Sequence, residues 1–363
     1  MDTTQFVHRS SRDVDRGGVL LSAVLRHRFL PVIPPLCALA YPSISSLLSA
    51  GLVAAHGSTS PNGVIVWVGV IASLALALAV MLVSFAFALA LGSRHGSGTN
   101  DYYARSIAHL AFATPSLYVG FANVAGVMRA PSAAPIAWLI FWALVSITVL
   151  AAAGSRAKPV VTTTVGHRRL ALAHGISASA ILLLFILPHI ANHIAALWNG
   201  RTHIEMMHAV RYVYRDDIVQ PILLALIGFQ ILSGAAMVRR RMTSPSDFLG
   251  NLQTMSGAYV GIYFLAHMTA VFAARYAGTD TNWNWLTNND TGMLVSLSSL
   301  RLIAHYWVGP IAIAAHLGCG LRMVLLRRGV PALIADRVIA VLVSAGVAAS
   351  SVILVALFSL HID

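Results

Sequence analysis

The stretch GNLQTMSGAYVGIYFLAHM, residues 250–268, carries one histidine, His267, inside apolar sequence long enough to be most of a membrane-spanning helix. It has the pattern Gln253-x-x-x-Gly257, and His267 follows Gly257 by ten residues. An ionisable side chain inside such a segment is costly and marks a functional site. The same spacing returns in SAILLLFILPH, residues 179–189, where Ser179 precedes His189 by ten. A neutral imidazole in this setting suits a haem iron. The alternative use for each ring is a hydrogen bond to a neighbouring helix carbonyl.

The rest of the chain fits a membrane setting. Its 363 residues are 58% hydrophobic and 10% charged, far more apolar than the soluble average of about a quarter charged. The formal charge of +12 is spread between apolar runs. That pattern suits one membrane face and argues against a nucleic-acid partner. Cys37 and Cys319 both lie in apolar segments, which suggests neither a disulfide framework nor a cysteine metal site. The arginine-rich tail, residues 1–28, precedes a run containing Pro31, Pro34, Pro35 and Pro42 that is read as a retained helix.

Apolar runs of about 20 residues, enough to cross the hydrocarbon, occur near 30–54, 64–92, 105–128, 134–153, 169–197, 218–238, 252–275, 301–323 and 335–360. Nine helical spans in an all-α transmembrane bundle are therefore expected. The basic tail, Arg94 with Arg105, the Arg156/Lys158/Arg168/Arg169 loop, Arg239 to Arg241, and Arg322 with Arg327 and Arg328 fall in alternate connections. The positive-inside rule makes that side cytoplasmic, with the C-terminus outside and a bacterial inner membrane as the expected location. Segment 198–217 reads as an outer loop with solvated His203 and His208. Segment 276–299 reads as another, with Trp283 and Trp285 as interface anchors and a possible role in covering a site.

This topology gives each histidine a depth. His189 and His267 both lie about 12 Å below the outer surface at 1.5 Å per residue, on two parallel spans. Level imidazoles on facing helices can hold one flat porphyrin between them. His316 sits nearer the cytoplasm and needs another partner, with His174 and His109 at comparable depth. His193, one turn past His189, could ligate instead, or hold a propionate or a quinone. His305, near the outer end of the span that carries His316, is a further candidate for contact with a quinone. The echo of Arg105, Arg169 and Arg301, each followed four or five residues later by a histidine, reads either as an old duplication or as a boundary habit.

From about residue 169 to 360 the chain resembles the dihaem cytochrome b membrane subunit of succinate:quinone oxidoreductases and quinol:fumarate reductases. The residues that carry the likeness are Ser179/His189, Gly257/His267 with Gln253, and His316-x-x-x-Gly320-Leu321-Arg322. The resemblance implies that His189 and His267 share an outer haem b and that His316 serves an inner one. One departure falls on span 218–238, where the family supplies the other inner ligand but this chain has Gln230, Ser233 and Gly234. Either His174 or another histidine replaces it, or only one haem is bound. The resemblance also nominates Glu205 as a carboxylate near a quinol site, with a solvated loop acid as the alternative. Ala314 stands where some members place a second carboxylate.

The expected organisation is a basic tail (1–28), a four-helix extension (29–154) and a five-helix haem-binding unit (155–363). The extension matches nothing familiar and reads as a packing or docking element. The expected function is electron transfer between quinone and separate flavoprotein and iron–sulfur subunits on the cytoplasmic side, since the chain carries no Gly-rich dinucleotide fingerprint and no cluster-binding cysteines. Two other readings are a haem-containing redox sensor and a transporter with a histidine proton relay.

Overall fold

In hydrocarbon every backbone N–H and C=O must find its partner within its own segment, so long apolar runs become helices. The computed structural model describes residues 30–57, 63–92, 99–152, 167–242, 244, 246–287 and 302–357, and every regular element among them is helical. The basic tail, Arg94, Arg156, Lys158 and Arg301 lie outside the described residues. Eight helices are long and apolar enough to cross a membrane, and a ninth span results if one bent pair is counted as one. The chain is a multi-pass membrane protein.

The N-terminal half holds α1 (Ile33–Leu39), α2 (Tyr41–Gly57), α3 (Gly63–Gly92), α4 (Thr99–Phe112), α5 (Thr114–Val127) and α6 (Ala133–Ala152). An aromatic core of Tyr41, Tyr118, Trp138 and Trp142 joins α2, α5 and α6, and Trp138 Nε1 donates to Ala38 O at 2.9 Å. The span expected at 105–128 is not straight, because α4 and α5 meet at a bend of 72°. Thr114 Oγ1 donates to Ala111 O at 2.6 Å, so the side chain takes a carbonyl of the last turn of α4. Pro115 then sits in the first turn of α5, where a missing N–H costs little.

The second half holds α7 (His167–Ile181), α8 (Leu187–Ala195), α9 (Gly200–Tyr214), α10 (Val219–Arg241), α11 (Phe248–Tyr276), the short α12 (Trp283–Thr287), α13 (Leu302–Arg327) and α14 (Ala332–Leu357). Helices α7 and α8 form one span through a π turn at Leu182–Ile186, in which Leu187 N–H reaches Leu182 O. Pro188 explains the widening. Its ring crowds the carbonyl four residues back and it has no N–H to give, and a wider turn relieves both problems. His189 is the next residue.

Helix α11 is the hub, packed against α13, α5, α10 and α4. The extension is therefore stitched to the second half. Asn123 Nδ2 on α5 donates to Ala266 O at 2.8 Å. At the opposite end of the bundle, the arginine-rich one, buried Arg105 on α4 donates from Nη1 to Met242 O and Ser244 O at 3.1 and 2.7 Å, a cation on the last carbonyls past α10.

The expected loop 198–217 is largely a helix. Asn199 caps α9 by accepting from Thr202 N at 2.8 Å. His203, Met207 and Arg211, spaced four apart, form the inward face. The expectation that His203 is solvated is thereby corrected: it is 2% exposed. Trp283 is corrected likewise. It is buried against His203, 4.7 Å between ring centres, and its indole fills the space beside Gly200, where no Cβ would fit.

Candidate functional site

Three spans of the second half, α7–α8, α11 and α13, bring their histidines together in two groups. No set of three or more His, Cys, Asp or Glu side chains able to hold a bare metal ion occurs among the described residues. Pairing is what the geometry offers.

At the arginine-rich end, His174 on α7 faces His316 on α13 with ring centres 6.2 Å apart and planes at 84°. Both rings have a fixed Nδ1. Ser233 Oγ spends its only proton on Phe229 O at 2.6 Å, so toward His174 Nδ1, 2.7 Å away, it can only accept. His316 Nδ1 donates to Gln253 O at 2.9 Å. Each neutral imidazole thus carries its proton on Nδ1 and a lone pair on Nε2, the tautomer that second-shell bonds impose on metal-ligating histidines. Gln230 Nε2 adds a bond to His174 O at 2.6 Å and to Ser177 Oγ at 2.5 Å.

One small residue, Gly257, makes the room for this pair, while Gly234 leaves only an ordinary contact distance. A Cβ at Gly257 would lie 2.6 Å from His316 Cε1, closer than any packed carbon tolerates, and one at Gly234 would lie 3.6 Å from His174 Cε1. Gly257 is thus required not by its own backbone but by the imidazole lying on it.

At the α9 end, His189 on α8 faces His267 on α11 with ring centres 6.1 Å apart and planes at 72°. Phe185 stacks on His189 at 4.9 Å, and Tyr263, one turn before His267, lies nearly parallel to it at 5.8 Å. His305 also stacks on Tyr263, at 4.5 Å, with its ring centre 6.5 Å from that of His267, and shares a hydrogen bond of 3.0 Å between its Nδ1 and Ser116 Oγ on α5. Through Ser116 the bent pair of the extension touches this group.

A cleft with about 1520 Å³ of empty space, its open side included, runs between α8, α10 and α11 under α9, and both His189 and His267 line it. Its floor is apolar, with Leu223, Ile227, Phe264 and Met268, and its far rim is polar. His193 lies on that rim, 4.7 Å from His189 and 5.4 Å from His203 between ring centres.

Not every residue singled out in the sequence comes to these groups. Glu205 points away on the outer face of α9, in an exposed pair with Arg201 at 2.9 Å, and does not line the cleft. His208 is exposed. His109 is buried on α4 with its Nδ1 2.7 Å from Arg105 O, apart from both pairs. The sequence reading passed over Ser116, Tyr263, Arg211 and Arg215. Only the last two had a visible signal, the cap at Asn199 followed by a four-residue period.

Burial, and then the charge of Arg211, push the His203 imidazole down from 6.5 to about 4. A histidine held neutral in the fold gives its full stabilisation above its unfolded pKa, and loses it as pH falls toward the folded one. Burial opposes ionisation of Asp280, but the hydrogen bond and charge of Arg211 outweigh it and hold that carboxyl below its usual range. The Arg211–Asp280 bond of 2.7 Å therefore persists where His203 begins to protonate. Protection of the α9 amides, taken relative to their intrinsic exchange rates at each pH, is expected to fall between pH 6.5 and about 4, and His203→Gln should flatten that fall. An unchanged pH profile in the variant would reject the assignment.

Compared with known proteins, this chain matches no family model, no curated protein and no solved structure.

Proposed function

We propose that this chain is a dihaem cytochrome b that carries electrons across the membrane between a quinone pool and a peripheral oxidoreductase. The observation that carries the reading is the spacing of the two imidazole pairs. A metal–imidazole bond of about 2 Å on each side, plus about 1 Å from each nitrogen to its ring centre, puts two axial rings about 6 Å apart. The pairs stand at 6.1 and 6.2 Å.

The donor set fits the group as well. His174 and His316 present Nε2 lone pairs because their Nδ1 protons are committed to Ser233 and Gln253. His174 would thus take the place that the resembling family fills from its second helix, and that helix contributes Ser233 instead. His174 and His189 stand fifteen residues apart on one span, about 22 Å at 1.5 Å per residue. Two redox centres at the two levels would bridge most of a hydrocarbon core of about 30 Å.

When bound, the haems supply one-electron storage and transfer. His174 with His316, and His189 with His267, would hold the two groups as paired imidazole ligands, a donor set suited to electron transfer. The residues here hold tautomers, exclude water and fix ring positions. Flavin and iron–sulfur chemistry would belong to partner subunits of the succinate dehydrogenase or fumarate reductase type, docked on the arginine-rich, cytoplasmic end.

The test is a dithionite-reduced-minus-oxidised spectrum of the purified chain with haem quantified. Two haems b per chain are expected, together with co-purification of a flavoprotein. A preparation without haem absorbance would overturn the reading.

A further inference from the structure

Among the described residues, five buried polar atoms in the cleft have no hydrogen-bond partner: Asn192 Oδ1, His193 Nδ1, His203 Nδ1, Arg211 Nε and Arg215 Nε. A buried polar atom left without a partner is costly, so five at one rim of one cleft call for a shared explanation. Asn192 Nδ2 donates to His203 Nε2 at 3.1 Å, which leaves the His203 proton on Nδ1. Arg211 and Arg215 spend terminal nitrogens on Asp280 and Thr281, at 2.6 to 3.2 Å, and leave their Nε–H groups. The orphans are therefore mostly donors.

Charge points the same way. Among the described residues the cleft is lined by Arg211, Arg215 and Arg275 and by no carboxylate. Asp280 bonds Arg211 from outside the lining. Donors and surplus positive charge around an enclosed rim suit an anion that arrives with the ligand. The rim shares its cleft with His189, whose ring centre is 4.7 Å from that of His193.

We infer that this rim is a carboxylate pocket that takes the propionate side chains of the tetrapyrrole held by His189 and His267, and so decides which way round the macrocycle enters. The inference rests on the dihaem reading and deepens it at one site. Arg211 and Arg215, held by their terminal nitrogens to Asp280 and Thr281, keep unspent Nε–H groups in the cleft that His189 and His267 also line. His203 adds a third donor from α9, which makes that helix part of the binding site as well as its cover. A lipid phosphate would meet the same donors, so the source of the anion has to be separated by experiment.

The experiment uses the full chain carrying His316→Ala, so that one site remains, produced in haem-depleted cells. It is titrated with iron protoporphyrin IX and, separately, with its dimethyl ester, whose carboxylates are masked. The ester is expected to bind at least tenfold more weakly. Adding Arg211→Gln and Arg215→Gln should bring the two affinities to within about twofold of each other, with ester binding undiminished as the sign of an intact fold. Equal binding of both forms by the parent chain, or discrimination that survives in the double variant, would overturn the inference. Equal binding combined with phosphatidylglycerol that co-purifies with the parent chain and is lost in the variant would assign the pocket to a lipid headgroup, and would overturn it too. Uptake of neither form would remove the haem reading itself and this inference with it.

Discussion

Alanine at His174, His189, His267 or His316 is expected to give two phenotypes, not four. Each single variant should lose one of two haems, about half of the reduced-minus-oxidised absorbance. His174→Ala and His316→Ala should leave the same residual spectrum, and His189→Ala and His267→Ala should leave the other. The pairing follows from ring centres at 6.2 Å within the first couple and 6.1 Å within the second. Both members of a couple are needed, because an imidazole facing an empty position holds haem by one bond where the site was built for two. Combining both members of a couple should therefore add nothing, whereas one member from each should remove all haem. His193→Ala serves as the check on the neighbouring ring, which lies one turn from His189 and 5.4 Å from His203. It should keep both haems. Haem content quantified per chain decides the matter, and four distinct residual spectra, or full content in any one of the four, would break the assignment.

The same four histidines show how far a sequence reaches. Span positions were legible because hydropathy and length act through a solvent that tolerates only helices, and the expected 64–92 became Gly63–Gly92. The matched depth of His189 and His267 was legible for the same reason, since rise per residue is fixed once the topology is set. What could not be read were contacts between helices far apart in sequence. Ser233 stood in the sequence as the residue where a ligand was missing, and its role as the acceptor for His174 needs α7 and α10 side by side. Proline was an unreliable guide. Pro310 sits inside an unbroken α13 and Pro188 only widens a turn, while Pro115 accompanies a 72° bend because Thr114 captures a carbonyl there. Glu205 had two readings, a carboxylate near a quinol site or a solvated acid, and its exposed place on the outer face of α9 fits the second.

Gly257→Ala is expected to cost the haem held by His174 and His316 and to leave the other in place, while Gly261→Ala one turn further along α11 changes neither. A single methyl separates the two outcomes. At Gly261 nothing lies within 4 Å of an added Cβ, whereas at Gly257 the methyl would sit 2.6 Å from His316 Cε1 and 2.8 Å from Nδ1. Those atoms belong to a planar ring that cannot fold away, so the whole imidazole has to swing. Swinging it breaks the 2.9 Å bond from Nδ1 to Gln253 O, and with that bond goes the restraint that keeps the proton off Nε2. The ring then loses position and tautomer together, and second-shell losses of this kind weaken metal binding by about 10–100-fold. Helix propensity acts in the opposite direction, since alanine favours a helix over glycine by about 1 kcal/mol. A variant as stable as the parent chain, or more so, that still lacks one haem would separate loss of the site from loss of the fold. The measurement is thermal unfolding alongside haem per chain. Two haems retained in Gly257→Ala would mean that the glycine serves packing alone and that His316 is no ligand.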